Sequence, residues 1–408
     1  MPLLKYIGFF LLLCSGVLRA DIGSLSDYCE YLSDRSVIHQ NPEYKTIQKI
    51  DLYLAYMHQC GSVAGKDLQG DKVEKSAEEI RRFWVGAQGD FLNVFSFKAV
   101  SQISSDRHNF PAGKRKFGHE TFRSANVTFR AHDAFNLSNF DTLILGYGRR
   151  SGRMADEWQR SATHINALER SAFSNKIWLS DAEKGNPLAV WGKSRIGQST
   201  IDLALFSGTY SEWIGGWEDS LTYFVSYELD FSQATGLDTT DLWFSAYYQD
   251  SESEEDKLAK GIEHAFAFVS RWANGPWALH TTLGIGENGS QSNPEQAGGF
   301  WGAVIMPMYW LVEEEQKLVF RYQYQSSEQA QGIQMNNRYA RMAAAEDTQI
   351  NINFSRGDEH HSLYLGYNYY LCGENLKLVT GVQWDELNSE GNVCFRGWTV
   401  GAGIRLLL

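Results

Sequence analysis

After its first twenty residues the chain holds no apolar run approaching the ~20 residues that a membrane-spanning helix needs, and its mean hydropathy is −0.36. A bundle of membrane helices is thereby excluded. Proline is scarce, 7 in 408 residues, and no proline- or serine-rich linker marks a domain boundary, so one domain with a short N-terminal extension is the simplest division. Catalytic signatures are missing as well: there is no HExxH, GxSxG or Walker pattern. The ten histidines include the neighbours His360 and His361 in an expected loop but no spaced ligand set, and His119-Glu120 is a lone dipeptide in another expected loop. The chain therefore reads as a non-enzyme with no metal and no cofactor, and its formal charge of −12 offers nothing to nucleic acid.

What is present begins with a leader. Lys5 supplies positive charge, Ile7 to Leu13 are almost wholly apolar, and Leu18-Arg19-Ala20 precedes Asp21. This predicts a signal peptide over 1–20, cleaved after Ala20, then a periplasmic extension over 21–45 and a single domain over 46–408.

In the last fourteen residues Trp398, Val400, Ala402, Ile404, Leu406 and Leu408 share one strand face, opposite Gly397, Thr399, Gly401, Gly403 and Arg405. An apolar row running to the end of a chain calls for an apolar surrounding. The same alternation recurs in Leu221, Tyr223, Val225, Tyr227, Leu229 and Phe231, and in Leu318, Phe320, Tyr322 and Tyr324. Aromatics at 14% suit a belt at two membrane interfaces.

The spacing predicts strands over 46–59, 80–90, 92–103, 122–132, 140–149, 187–195, 198–207, 219–231, 240–249, 262–273, 276–286, 299–311, 317–326, 361–372, 375–386 and 395–408. That is sixteen, the alternating segment 349–354 being left in a loop to keep an even count. Long connections (60–79, 104–121, 150–186, 208–218, 250–261, 287–298, 327–360, 387–394) alternate with short ones. The fold class expected is all-β, a transmembrane antiparallel barrel with long external loops and short periplasmic turns.

Asp141 to Trp178, where a strand ending in Gly-x-x-basic leads to Glu169-Arg170-Ser171, resembles the phosphate-selective porin O and P family. Leu365 to Leu371 followed by a tight turn and Leu376-Lys377-Leu378 is a second match, and Glu79 to Phe83 a third. The resemblance implies a sixteen-stranded outer-membrane porin, a homotrimer in contact with outer-membrane lipid, with a lumen lined by basic residues. Leu408 stands where this class usually ends in Phe.

Strand phase places Lys98, Arg130, Arg271, Arg321, Lys377 and Arg405 on the lumen face, against Asp51, Asp202, Glu228, Asp230 and Asp385. The 150–186 connection is too apolar for a free loop (Met154, Trp158, Ile165, Leu168, Phe173, Ile177) and carries Arg150, Arg153 and Arg160 just beyond Arg149. Folded into the barrel, it would hold these arginines at a constriction and favour small anions such as phosphate. Left outside, they would meet lipid head groups or pair with Asp156, Glu157 and Glu169. The expected function is a passive diffusion channel for small hydrophilic solutes. Its rivals are a surface-binding or adhesion protein on a plugged barrel, and an outer-membrane hydrolase with Ser and His adjacent on the lipid face.

Four cysteines remain after cleavage. With Cys372 at a periplasmic turn and Cys394 at the outer rim, the strand map leaves Cys29 with Cys372 and Cys60 with Cys394, or free thiols.

Overall fold

A computed structural model describes Cys29 and residues 36–104, 117–180, 185–208, 217, 220–250, 258–259, 261–289 and 293–408. The expected signal peptide 1–20 and most of the 21–45 extension lie outside the described residues. The strands are β1 (Val37–Gln40), β2 (Ile47–Asp67), β3 (Lys72–Phe91), β4 (Phe95–Ser104), β5 (Phe117–Arg130), β6 (Thr142–Arg149), β7 (Leu188–Ile196), β8 (Ser199–Ser207), β9 (Leu221–Asp230), β10 (Thr239–Asp250), β11 (His264–Asn274), β12 (Trp277–Asn288), β13 (Gly298–Val312), β14 (Gln316–Ser327), β15 (Ile333–Gln334), β16 (Arg356–Gly357), β17 (Glu359–Tyr370), β18 (Leu376–Ser389) and β19 (Asn392–Leu407).

Sixteen of these, β2 to β14 with β17 to β19, pair antiparallel with their chain neighbours, and β19 returns to β2 to close the barrel. At the seam Phe395 faces Asp67 and Leu407 faces Ala55. Closure removes the sheet edges, leaving no unpaired row of amides in the wall.

The alternating residues divide as their hydropathy dictates. Leu145, Leu203, Phe244, Ile285, Leu365 and Trp398 are each about half exposed on the outer face. A continuous apolar belt of this kind is stable in contact with hydrocarbon and not with water. Phe224, the one residue out of phase in its row, points inward and is buried.

Two expected loops are strands. β2 and β3 run on through 60–79 to a turn at 68–71, and β18 and β19 run on through 387–394 to a turn at Glu390 and Gly391. Above the membrane both faces of a hairpin are free to be polar, so the apolar rhythm stops while the hydrogen-bond ladder continues. The four strands flanking the seam therefore rise as a tall wall. His360 and His361 likewise fall in β17, and His119 and Glu120 in β5.

That lengthening corrects one cysteine pair. Cys60 lies within β2 opposite Ala402, seven residues below Asp67, which faces Phe395 next to Cys394. Both are free thiols. Cys29 is joined to Cys372 in a disulfide with a Cα–Cα distance of 5.3 Å. The bond ties the chain ahead of β1 to the turn between β17 and β18. β1 then pairs with residues 49–51 of β2, and the Leu54 and Leu408 amides exchange hydrogen bonds of 3.0 and 2.8 Å. The N-terminal segment is a strap fastened on both sides of the seam. Replacing Cys29 by serine is expected to cost about 2–4 kcal/mol of barrel stability, read as a lower temperature for the heat-induced mobility shift in detergent gels. An unchanged shift temperature would show that the strap carries none of the seam's stability.

Candidate functional site: an inserted loop and a residual lumen

The connection from β6 to β7 folds into the barrel. Its acids meet inward-facing bases on distant strands: Glu157 pairs with Arg321 of β14 at 2.6 Å, Asp156 with Arg271 of β11 and with His280 of β12 at 3.0 Å, and Glu169 with Arg81 of β3 at 2.6 Å. Arg405 of β19 donates to the carbonyls of Ile165, Ala167 and Leu168 at 2.6, 2.8 and 2.7 Å. The Phe173 ring sits over Gly284 and Gly302, which face each other on β12 and β13. A Cβ on Gly302 would approach that ring to 2.4 Å, so the dimple needs glycine.

Desolvation works to raise the Asp156 and Glu169 carboxyls. The charges of His280 and Arg271 on the first, and of Arg81 on the second, outweigh it and hold both below the ordinary carboxylate range. A carboxylate with a depressed folded-state pKa contributes stability that is complete above its unfolded value and lost only as pH falls through the folded one. Loop docking is therefore expected to survive from neutral pH to about pH 4. Single-channel conductance measured across that range checks this, and a rise above pH 4 would contradict it.

A second segment, between β14 and β17, covers the tall wall from within. Asn337 caps the helix Arg338–Glu346 and donates to Asp385 and Thr399 at 2.8 Å each, Arg338 pairs with Glu79, and the Tyr339 ring stands where a side chain at residue 61 would project.

Between the inserted loop and the wall along β4 to β10 lies a cleft of ≈ 310 Å³. Lys98, Arg150, Arg153 and Lys193 supply its positive charge, Asp202 and Glu228 its negative charge, and Asn126, Gln159, Trp191 and Trp243 line it between them. Arg150 and Asp202 form a two-pronged pair at 3.1 and 2.7 Å. Arg153 is exposed to the cleft, its own Nη1 donating to the Gln159 carbonyl at 3.2 Å. Lys98 lies 4.4 Å above the Tyr53 ring.

Of the basic residues read as pore-lining, Lys98, Arg150 and Arg153 line this cleft. Arg149 is buried, donating to the Asn186 carbonyl at 2.7 Å. Arg130 pairs with Asp90 and Asp133. Arg271, Arg321 and Arg405 face inward but hold the loop, Lys377 pairs with Glu374, and Arg160 is not among the lining residues. Strand phase reports the face and not whether a loop covers it. Lys193 escaped notice although it follows inward Trp191 by two residues; the facing glycines Gly284 and Gly302 were a further signal of a docked ring.

Ser101 and His119 meet at 2.6 Å. The serine contacts Nδ1, and the neighbouring Glu120 accepts from Gln102 instead of orienting the ring. A nucleophile and base need a third group to orient the base, and among the described residues no carboxylate pairs with His119.

No protein-family model matches the chain, and no curated protein sequence does. Solved structures do. OprB of Pseudomonas putida is 12% identical with a TM-score of 0.52, covering 88% of this chain and 94% of that one. The channel DcaP of Acinetobacter baumannii is 11% identical with a TM-score of 0.51, covering 88% and 97%. An anion-selective porin from Comamonas acidovorans is 10% identical with a TM-score of 0.51, covering 88% and 99%. The chain has the fold of outer-membrane porins. At such identities the likeness is one of architecture.

Proposed function

We propose that this chain is a passive outer-membrane channel for small hydrophilic solutes that favours anions. The carrying observation is the charge of the cleft. With Arg150 and Asp202 spent on each other, Lys98, Arg153 and Lys193 stand against Glu228. A net positive strip beside low-dielectric protein concentrates anions and repels cations. The chain's acidic total does not oppose this, since the run Glu313 to Glu315 lies in the connection between β13 and β14. The sequence resemblance to phosphate-selective porins supports phosphate as one such anion and a homotrimer as the assembly. The apolar outer belt supports lipid as its surrounding, and no catalytic step is part of the reading.

Swelling of liposomes containing the protein tests the proposal. Small organic anions should enter faster than cations of similar size, by about severalfold at low salt. Equal rates, or faster cations, would contradict the anion preference.

A further inference from the structure

Followed round the barrel from β5 to β19, the apolar outer belt ends at the seam. Large apolar side chains stand exposed on every strand from β5 to β14, whereas among the described residues of β2 to β4 only Ile47, at the periplasmic start of β2, does so. What β2 and β3 turn outward is polar instead. Across the seam Ile404, Ala402, Val400 and Trp398 of β19 lie opposite His58, Cys60, Ser62 and Ala64 of β2, and Ile80, Glu78 and Ser76 of β3 lie opposite the first three of these. Strand tilt displaces such a row by only about one residue per strand, so His58, Cys60 and Glu78 stay at the depth of the belt that Trp398 bounds above.

Contacts within the patch leave much of its polarity unspent. His58 Nε2 lies 3.0 Å from the Glu78 carboxylate, and Ser76 donates to Ser62 at 2.9 Å. The Glu78 side chain is nevertheless 70% exposed, and Cys60 is an exposed free thiol. Hydrocarbon offers a carboxylate no donors, and charge on the lipid face of a barrel is destabilising. The patch therefore calls for a polar cover that reaches it inside the bilayer. Just above it Lys66, Lys72 and Glu74 share the same face, Lys72 pairing with Glu74 at 2.7 Å. Both signs of charge are thus interspersed over one surface.

We propose that a second copy of this chain packs against the outer face of β2 and β3, over His58, Cys60, Ser62, Ser76 and Glu78. A copy fits because it brings the same mixture of His58, Lys66 and Lys72 with Glu74 and Glu78 at the same depth in the bilayer, so that acids of one wall meet bases of the other. Cys60, Ser62, Ala64 and Ser76 are short, which lets two walls approach closely enough for polar contacts across the bilayer interior. The inference rests on the homo-oligomer proposed above and gives that assembly its face. Conduction plays no part in it.

The test reads size and thiol reactivity on one sample, the folded full chain in mild detergent. Wild type should be oligomeric by light scattering. Its Cys60, followed at the Cys60 peptide by mass, should react with an apolar maleimide about tenfold or more slowly than in a monomeric variant. S76W sets a bulky ring outward on β3, where it burdens the packing between copies and not the barrel, and should give folded monomers with a reactive Cys60. S62W on β2 repeats the test should S76W fail to fold, the heat-induced gel shift serving as the folding check. A246W, outward on β10 and away from the seam, should behave as wild type. Oligomeric S76W and S62W, dissociation by A246W, or a Cys60 equally reactive in wild-type oligomers and variant monomers would overturn this face and leave the assembly standing. A monomeric wild type would overturn both. Protection of Cys60 in the monomeric variants would overturn the proposal by assigning the cover to a segment of the same chain.

Discussion

Replacing Glu157 by glutamine is expected to widen the pore. The carboxylate accepts from Arg321 at 2.6 Å and from the Ser171 amide at 2.8 Å, and all three residues are buried. Removing one partner of a buried pair leaves the other charge uncompensated, at a cost of about 3–5 kcal/mol. That is enough to shift a docked loop toward release, since every 1.4 kcal/mol is about a factor of ten in the docking equilibrium. With the loop undocked, the half of the lumen facing β11 to β14 reopens, and single-channel conductance should rise by about twofold or flicker between two levels. Replacing Arg321 by methionine in the same chain should bring conductance back toward wild type, because a pair removed whole leaves no stranded charge. Unchanged conductance in the single variant would mean that the Arg271, Arg81 and Arg405 contacts hold the loop without Glu157.

Reversing the cleft's charge is expected to reverse its selectivity. Exchanging Lys98 and Arg153 for glutamate turns a lining dominated by bases into one dominated by acids, while the Arg150–Asp202 pair stays neutral. The reversal potential in a salt gradient should change sign at low ionic strength. In 1 M salt, where the Debye length is ~3 Å, the difference between variant and wild type should shrink. R149Q serves as the contrast: Arg149 is 1% exposed and should leave selectivity unaltered. If it shifts the potential as much as the cleft exchange does, the ions follow another path.

The barrel was legible because its determinants are local. Alternation from Leu221 to Phe231 and from Trp398 to Leu408 follows from one rule about strand faces and needs no partner to interpret. Where both faces turn polar the rule falls silent, so the pattern alone makes 60–79 and 387–394 loops and sets Cys60 at a rim it does not reach. The channel was only partly legible, for a related reason. Arg271, Arg321 and Arg405 sit on the face that phase assigns them, yet each is engaged by a segment over a hundred positions away. Glu157 pairing with Arg321, or Phe173 settling over Gly302, is decided by how a loop crosses a lumen, and no periodicity encodes that crossing. Lys98, Arg150 and Arg153 line the cleft, and among the described residues no acid of the loop pairs with them.

The residual lumen, lined by Lys98, Arg153 and Lys193, should conduct. The measurement that tests it most directly is single-channel recording of the folded wild-type protein in a planar bilayer under a potassium chloride gradient. Stepwise, ohmic, passive currents with a reversal potential of the sign for anion flow are the predicted result. Folded protein that inserts but yields no current would contradict the account, leaving a plugged barrel whose external segments carry the function.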